Sequence, residues 1–149
     1  MDSQQLAQAC ADAMWMEDEA SRGMGMAIES IAPGEAELSM VVREDMVNGH
    51  AICHGGFIFT LADSAFAFAC NSENHNTVAA GARIEFLAPG KLGDKLTAKA
   101  RQMSQGGRTG VYDVVVHNQD GRQLALFRGN SHRIGGALVD TTTGEALND

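Results

Sequence analysis

Gly55 to Asn71 reads GGFIFTLADSAFAFACN, the one long apolar run of the chain. Apolar residues occupy almost every position, so a helix formed here has no wet face and must be buried on nearly all sides. At 1.5 Å per residue it is about 24 Å long, enough to run the length of a small sheet. The rest of the chain therefore has to wrap it.

The flanking sequence is suited to that. Downstream, Thr77–Leu87 ends at Pro89-Gly90, Lys95–Ser104 at Gly106-Gly107, Thr109–His117 at Asp120-Gly121, and Arg122–Ile134 at Gly135-Gly136. Successive strands with short Gly, Pro and Asp turns predict an antiparallel meander rather than βαβ units. Upstream, a first helix capped by Ser3 and running to about Arg22 precedes a strand at Met26–Ile31 and the turn Pro33-Gly34. In Glu35–Val42, Ala36, Leu38, Met40 and Val42 alternate with Glu35, Glu37 and Ser39, the pattern of a half-buried strand. The expected fold class is α+β: one curved antiparallel sheet around one apolar helix.

The 149 residues suffice for one core. No run reaches the roughly 18–20 apolar residues of a membrane span. MDSQQLAQAC has no basic start to a secretory signal. Cys10, Cys53 and Cys70 are odd in number and form no C-x-x-C pair, which reads as reduced thiols in a cytoplasmic protein. A net charge of −8 argues against nucleic acid as the main partner. His50, Cys53 and His54 lack the further ligands that a zinc site needs, so no metal is expected.

Within the apolar helix, Asp63 stands out. A carboxylate there needs a partner or shifts its pKa. Thr60, Asp63 and Ser64, at i, i+3 and i+4, share a face that must meet water, a ligand or polar protein groups. A catalytic carboxylate and one satisfied by backbone at a subunit interface both fit this pattern. Ahead of the helix runs Asn48-Gly49-His50-Ala51-Ile52-Cys53-His54-Gly55-Gly56. The glycines permit close approach, and the free N–H groups of a first helical turn bind an anion or a developing oxyanion. Ordinary loop chemistry is the plainer reading of that glycine pair. A third feature is Phe127-Arg128-Gly129-Asn130-Ser131-His132-Arg133, a basic stretch in an acidic protein. On a strand, Arg128, Asn130 and His132 share one face and Arg133 takes the other, with Arg108 in a neighbouring turn. The stretch reads equally as a phosphate site or as a charged, aggregation-resistant edge.

The motifs N-G-H-x-x-C-H-G-G, L-A-D-S-A-F, I-E-F-L-A-P-G, G-V-Y-D and F-R-G-x-S-H-R-I-G-G, spread from Met14 to Gly136, resemble the hotdog-fold acyl-CoA thioesterases of the phenylacetate-degradation (PaaI) type. The resemblance implies an N-terminal helix over 1–22, a hotdog domain over 23–136, and a polar tail over 137–149, which we expect to fray. It implies a homodimer with sites at the interface, associating further to a homotetramer. The Gly55 N–H would polarise the thioester carbonyl, while Asp63 of the opposite subunit acts as base or nucleophile. Asn48 and His54 would position water and the loop, and Ser64 would help orient the carboxylate. Arg128, Arg133, Arg108 and Gly56 would meet coenzyme A, with no cofactor required; Asn130 stands where relatives carry a basic residue. The implied substrates are phenylacetyl-CoA and its ring-hydroxylated derivatives, with Phe57, Phe59, Phe66 and Phe68 as candidate pocket aromatics. A hotdog hydratase or dehydratase, or a non-catalytic acyl-CoA-binding protein, is the alternative; the helix start lacks the prolines usual in the first.

Overall fold

The computed structural model describes residues 1–147. Its elements are α1 (Ser3–Glu17), α2 (Glu19–Gly23), β1 (Ala27–Ala32), β2 (Glu35–Val41), α3 (Gly55–Cys70), β3 (Thr77–Phe86), β4 (Lys95–Gly106), β5 (Thr109–His117) and β6 (Gln123–Arg133). The architecture is the hotdog fold: a six-stranded antiparallel sheet packed around the central helix α3. The helix buries Ile58, Leu61, Ala62, Ala65, Phe66, Phe68 and Ala69. Facing it are Leu38 and Met40 of β2, Leu96 and Ala98 of β4, Tyr112, Val114 and Val116 of β5, and Phe127 of β6. Each set alternates with residues on the outer face, mostly polar in β2 and β4, as one-sided sheet burial requires. At Gly129 the sheet comes closest to the helix. A Cβ there would lie 2.7 Å from the Phe66 ring, so only glycine fits.

Strand order is β1-β2-β4-β5-β6-β3, which departs from the expected meander. Of the four downstream strands only β4, β5 and β6 are consecutive neighbours; β3 pairs with β6 and ends the sheet. The slot beside β4 is taken by β2, in register from Glu35↔Arg101 to Val41↔Lys95. The Pro89-Gly90 turn is therefore no hairpin. Cys53 N–H donates to the Gly90 carbonyl (2.7 Å), carrying the chain across the start of α3.

Two terminal expectations also change. The first helix breaks at Asp18, whose side chain caps α2 through the Ser21 N–H (2.9 Å), and it is Asp2, not Ser3, that caps α1 in a capping box with Gln5. The tail does not fray as far as it is described. Asn74 Oδ1 accepts from Leu138 and Val139 N–H (2.9 and 3.0 Å), its Nδ2 donates to the Val139 carbonyl (3.0 Å), and Val139 is buried. Asn74 adopts φ +67°, a backbone that asparagine tolerates better than most residues. Residues 148–149 lie outside the described part.

Candidate active site

The loop before α3 is held at four points. Val47 pairs with Cys53 and Ile52 with Lys91 as isolated bridges, Cys53 N–H reaches Gly90, and His54 N–H donates to the Met46 carbonyl (2.7 Å). Asn48 organises the interior of this loop. Its Oδ1 accepts from the N–H groups of His50 (2.9 Å) and Ile52 (3.4 Å), and Ala51 turns through φ +62°. The Asn48 amide NH2 has no protein acceptor among the described residues and lies at a cavity.

His54 is the N-cap of α3. Its Nδ1 accepts from Gly56 N–H (3.0 Å), which places the ring proton on Nε2, and its carbonyl accepts from Phe57 N–H (3.0 Å). These two bonds take the N–H groups of Gly56 and Phe57. The Gly55 N–H has no acceptor among the described residues. One donor, at the positive end of a four-turn helix, is left facing outward. It borders a cavity of about 540 Å³ lined by Asn48, Ile52, Cys53, Gly55, Ile58, Phe86, Leu87, Ala88 and Pro89, within the size range of small-ligand sites.

The polar stripe on α3 resolves into three separate fates. Thr60 donates back to the Gly56 carbonyl (2.8 Å). Ser64 bonds Ser21 (2.8 Å), which in turn bonds the Asp18 carboxylate (2.7 Å). An ionised carboxylate only accepts, so the Ser21 proton points at Asp18 and Ser64 donates to Ser21. The Ser64 hydroxyl is thus committed to docking α2. Asp63 alone has neither a hydrogen bond nor an ion pair among the described residues, and burial raises its pKa above the ordinary aspartate range. Along the axis, Asp63 lies about 12 Å from Gly55. That is several times the ~3 Å reach between a base or nucleophile and its target.

The three thiols are no rivals to it. Burial pushes Cys10 and Cys53 up to about 11 and Cys70 up to about 12, so the nucleophilic thiolate is scarce even where Cys53 lines the cavity. Among the described residues no group of three His, Cys, Asp or Glu side chains is arranged to hold a metal ion. Among the described residues no helix is long and apolar enough to cross a membrane.

Residues 50–125, half of the chain and including α3 and the cavity wall apart from Asn48, match the family model described as the thioesterase superfamily. The acyl-coenzyme A thioesterase PaaI of Escherichia coli strain K12 is 50% identical over 136 residues, covering 91% of this chain and 94% of its own. The chain belongs to the PaaI-type acyl-CoA thioesterases of the hotdog superfamily. The solved structure of the E. coli PaaI protein from the phenylacetic acid degradation operon superposes with a TM-score of 0.90 at 47% identity, over 91% of this chain and 99% of that one. A Streptococcus mutans protein bound to acetyl CoA superposes with a TM-score of 0.73 at 29% identity, over 75% and 90% of the two chains.

Against the residues singled out from sequence, the structure brings Asn48, His54, Gly55 and Gly56 together at one end of α3 and sets Asp63 and Ser64 apart from them. The arginines do not form one cluster. Arg128 is on the outer face of the sheet, in a bidentate pair with Asp113 (2.7 and 2.9 Å) that holds the Asp113 carboxyl below its usual range. Arg133 points inward, 3.8 Å from Glu73, with its buried Nε unpartnered. Arg108 joins only Arg133, donating to its carbonyl (3.4 Å). Gly56 has its N–H occupied by the His54 cap.

The candidate pocket aromatics are also placed elsewhere. Phe66 packs on Tyr112 and Phe127, Phe68 on Trp15, Phe59 on Phe127, and Phe57 on His54. The aromatic that does line the cavity is Phe86, within the I-E-F-L-A-P-G motif but unassigned from sequence. Strand alternation would have put it on the inner face beside Ile84. Only the topology shows that this end of β3 meets the start of α3.

Proposed function

We propose that this protein hydrolyses phenylacetyl-CoA and its ring-hydroxylated derivatives during phenylacetate degradation, releasing free coenzyme A in the cytoplasm. The observation that carries the catalytic assignment is the free backbone donor of the helix start, Gly55 N–H, on the wall of a largely apolar cavity. In this reading the thioester carbonyl accepts from Gly55 N–H and the acyl group enters the cavity. As the carbonyl carbon becomes tetrahedral, negative charge on its oxygen meets the helix dipole and that N–H. One preorganised donor of this kind is worth about 2.7–4 kcal/mol.

Hydrolysis also needs a carboxylate. The ~12 Å along α3 separates Gly55 from the Asp63 of its own chain, so Asp63 must come from a second copy. The edge strand β3 offers the means: eight of its ten residues are exposed, and its outer backbone edge is unpaired. Antiparallel pairing of two β3 strands makes a continuous sheet and brings the two helices side by side. A homodimer is then the smallest active unit, and likeness to PaaI-type enzymes supports a homotetramer built from two.

Asp63 takes a proton from water as that water attacks, or itself attacks to give an anhydride that water opens. Either way the products are the carboxylic acid and the thiol of coenzyme A. The Asn48 amide NH2 is available to orient the water, and His54 holds the loop. Arg108 and Arg133 are the better-placed candidates for coenzyme A phosphates, since Arg128 is engaged by Asp113.

Thiol release from phenylacetyl-CoA and from 3- and 4-hydroxyphenylacetyl-CoA tests the reading. Asp63→Asn, shown to be folded by circular dichroism, is expected to lose about 100-fold or more in kcat. Equal rates for wild type and variant overturn the role of Asp63. Binding without thiol release by either protein overturns hydrolysis and favours the hydratase or binding alternative.

A further inference from the structure

Phe86 differs from every aromatic of α3. Those rings are committed to Trp15, Tyr112, Phe127 or His54, whereas Phe86 has no aromatic partner among the described residues and is 54% exposed. Its ring lies edge-on to the Gly55 Cα. A Cβ built at Gly55 would stand 2.9 Å from Phe86 Cζ, so a side chain there would push the ring from its place. The backbone beneath it is fixed, with Leu87 and Ala88 N–H both donating to the Leu124 carbonyl (2.8 and 3.3 Å). The outcome is an exposed apolar ring on a rigid mount, beside the one free donor of the helix start.

We propose that Phe86 is the specificity-determining residue of the acyl site, selecting acyl groups that carry a flat ring close to the thioester carbonyl. The inference rests on the thioesterase reading. With the carbonyl at Gly55 N–H, the first acyl atoms beyond it meet the Phe86 ring. An arylacetyl group places its ring one methylene from the carbonyl, where offset or edge-to-face contact with Phe86 adds to simple burial. A linear chain of similar size gains the burial alone.

The experiment compares kcat/KM for phenylacetyl-CoA and hexanoyl-CoA in wild type, Phe86→Leu, Phe86→Ala and Phe86→Tyr, with thermal melts as a fold check. Leucine keeps apolar bulk without the π face, so Phe86→Leu is expected to lower the phenylacetyl-to-hexanoyl ratio roughly 2- to 12-fold. Phe86→Ala should lower it at least as far, and Phe86→Tyr should retain it. If Phe86→Ala does not fold, Phe86→Leu decides alone. An unchanged ratio in active, folded Phe86→Leu overturns the inference and leaves the thioesterase reading intact. Wild type that releases thiol from neither substrate overturns both.

Discussion

At Asp63 packing and chemistry make opposite demands. This turn of α3 is half-buried, and an apolar or neutral side chain would cost least there. A hydrolytic site needs a carboxylate that ionises near neutral pH. Burial without a partner raises the Asp63 pKa, so the folded protein binds its proton more tightly than the unfolded chain does. Asp63's contribution to stability is then fully present below the unfolded-state value and is lost as pH rises through the folded-state value. Asp63→Asn should accordingly melt at a higher temperature than wild type at pH 7, with the difference shrinking toward zero as pH is lowered past the aspartate range. Scanning calorimetry from pH 4 to pH 8 reads this directly, and a variant less stable at pH 7 would mean that the carboxylate has found a stabilising partner in the assembly. On the kinetic side, the acid limb of kcat against pH should fall above the ordinary aspartate value of about 3.9. The donor proposed to meet the thioester carbonyl, Gly55 N–H, is by contrast a backbone group. It is singled out by which neighbouring N–H groups are already bonded, not by side-chain chemistry.

At the scale of elements, α3 is locked to its surroundings by polar contacts at its middle and its two ends. His54 caps the start. At the finish, the Asn71 amide donates to the Ala67 and Thr77 carbonyls (2.9 and 3.1 Å), and its oxygen accepts from Thr77 N–H (2.9 Å), tying the helix to β3. Midway, the Ser64–Ser21–Asp18 chain docks α2 on the helix turn next to Asp63. Ser64→Ala and Ser21→Ala should each cost about 0.5–1.5 kcal/mol in urea denaturation. The double variant should cost clearly less than the sum, because both remove the same bond. Strict additivity would show that the two hydroxyls are satisfied independently. The break at Asp18 that makes this contact possible was signalled by Asp18 itself, a good cap residue, but the acidic run Glu17–Glu19 reads equally well as the solvated side of one longer helix.

At the scale of the molecule, the proposed mechanism divides its site between two chains. Gly55 N–H is at one end of α3 and the Asp63 carboxylate two turns along it, while the ten-residue strand β3 leaves its outer edge unpaired. Subunit mixing tests whether two chains supply one site. The Asp63→Asn and His54→Ala proteins should each be nearly inactive. Unfolded together and refolded, they should recover about a quarter of wild-type turnover, because half of the pairs are mixed and each mixed pair has one intact site. Mixtures that stay at the level of the parents would place Asp63 and the helix start in the same subunit's site, against the distance along the helix.

The apolar run Gly55–Asn71 by itself determined the α+β class, since a helix without a wet face has to be wrapped. Turn signals, with period-two alternation at Glu35–Val42, located all six strands to within a residue or two, because both are local and need no knowledge of neighbours. The buried Asp63 and the glycine pair at the helix start were legible for the same local reason: each is a residue out of keeping with its surroundings. Tertiary structure alone decided the rest. Alternation says which face a strand buries but not which strand lies beside it, so the place of β3 at the edge beyond β6 could not be read. With it went the meeting of Phe86 and Gly55, residues 31 apart in sequence. The tail's attachment through Asn74 depends on hydrogen bonds to backbone groups, which carry no residue signature. The division of Arg108, Arg128 and Arg133 among separate partners was hidden likewise, because charge in sequence shows what a side chain can bind and only its neighbours in space show what it already has.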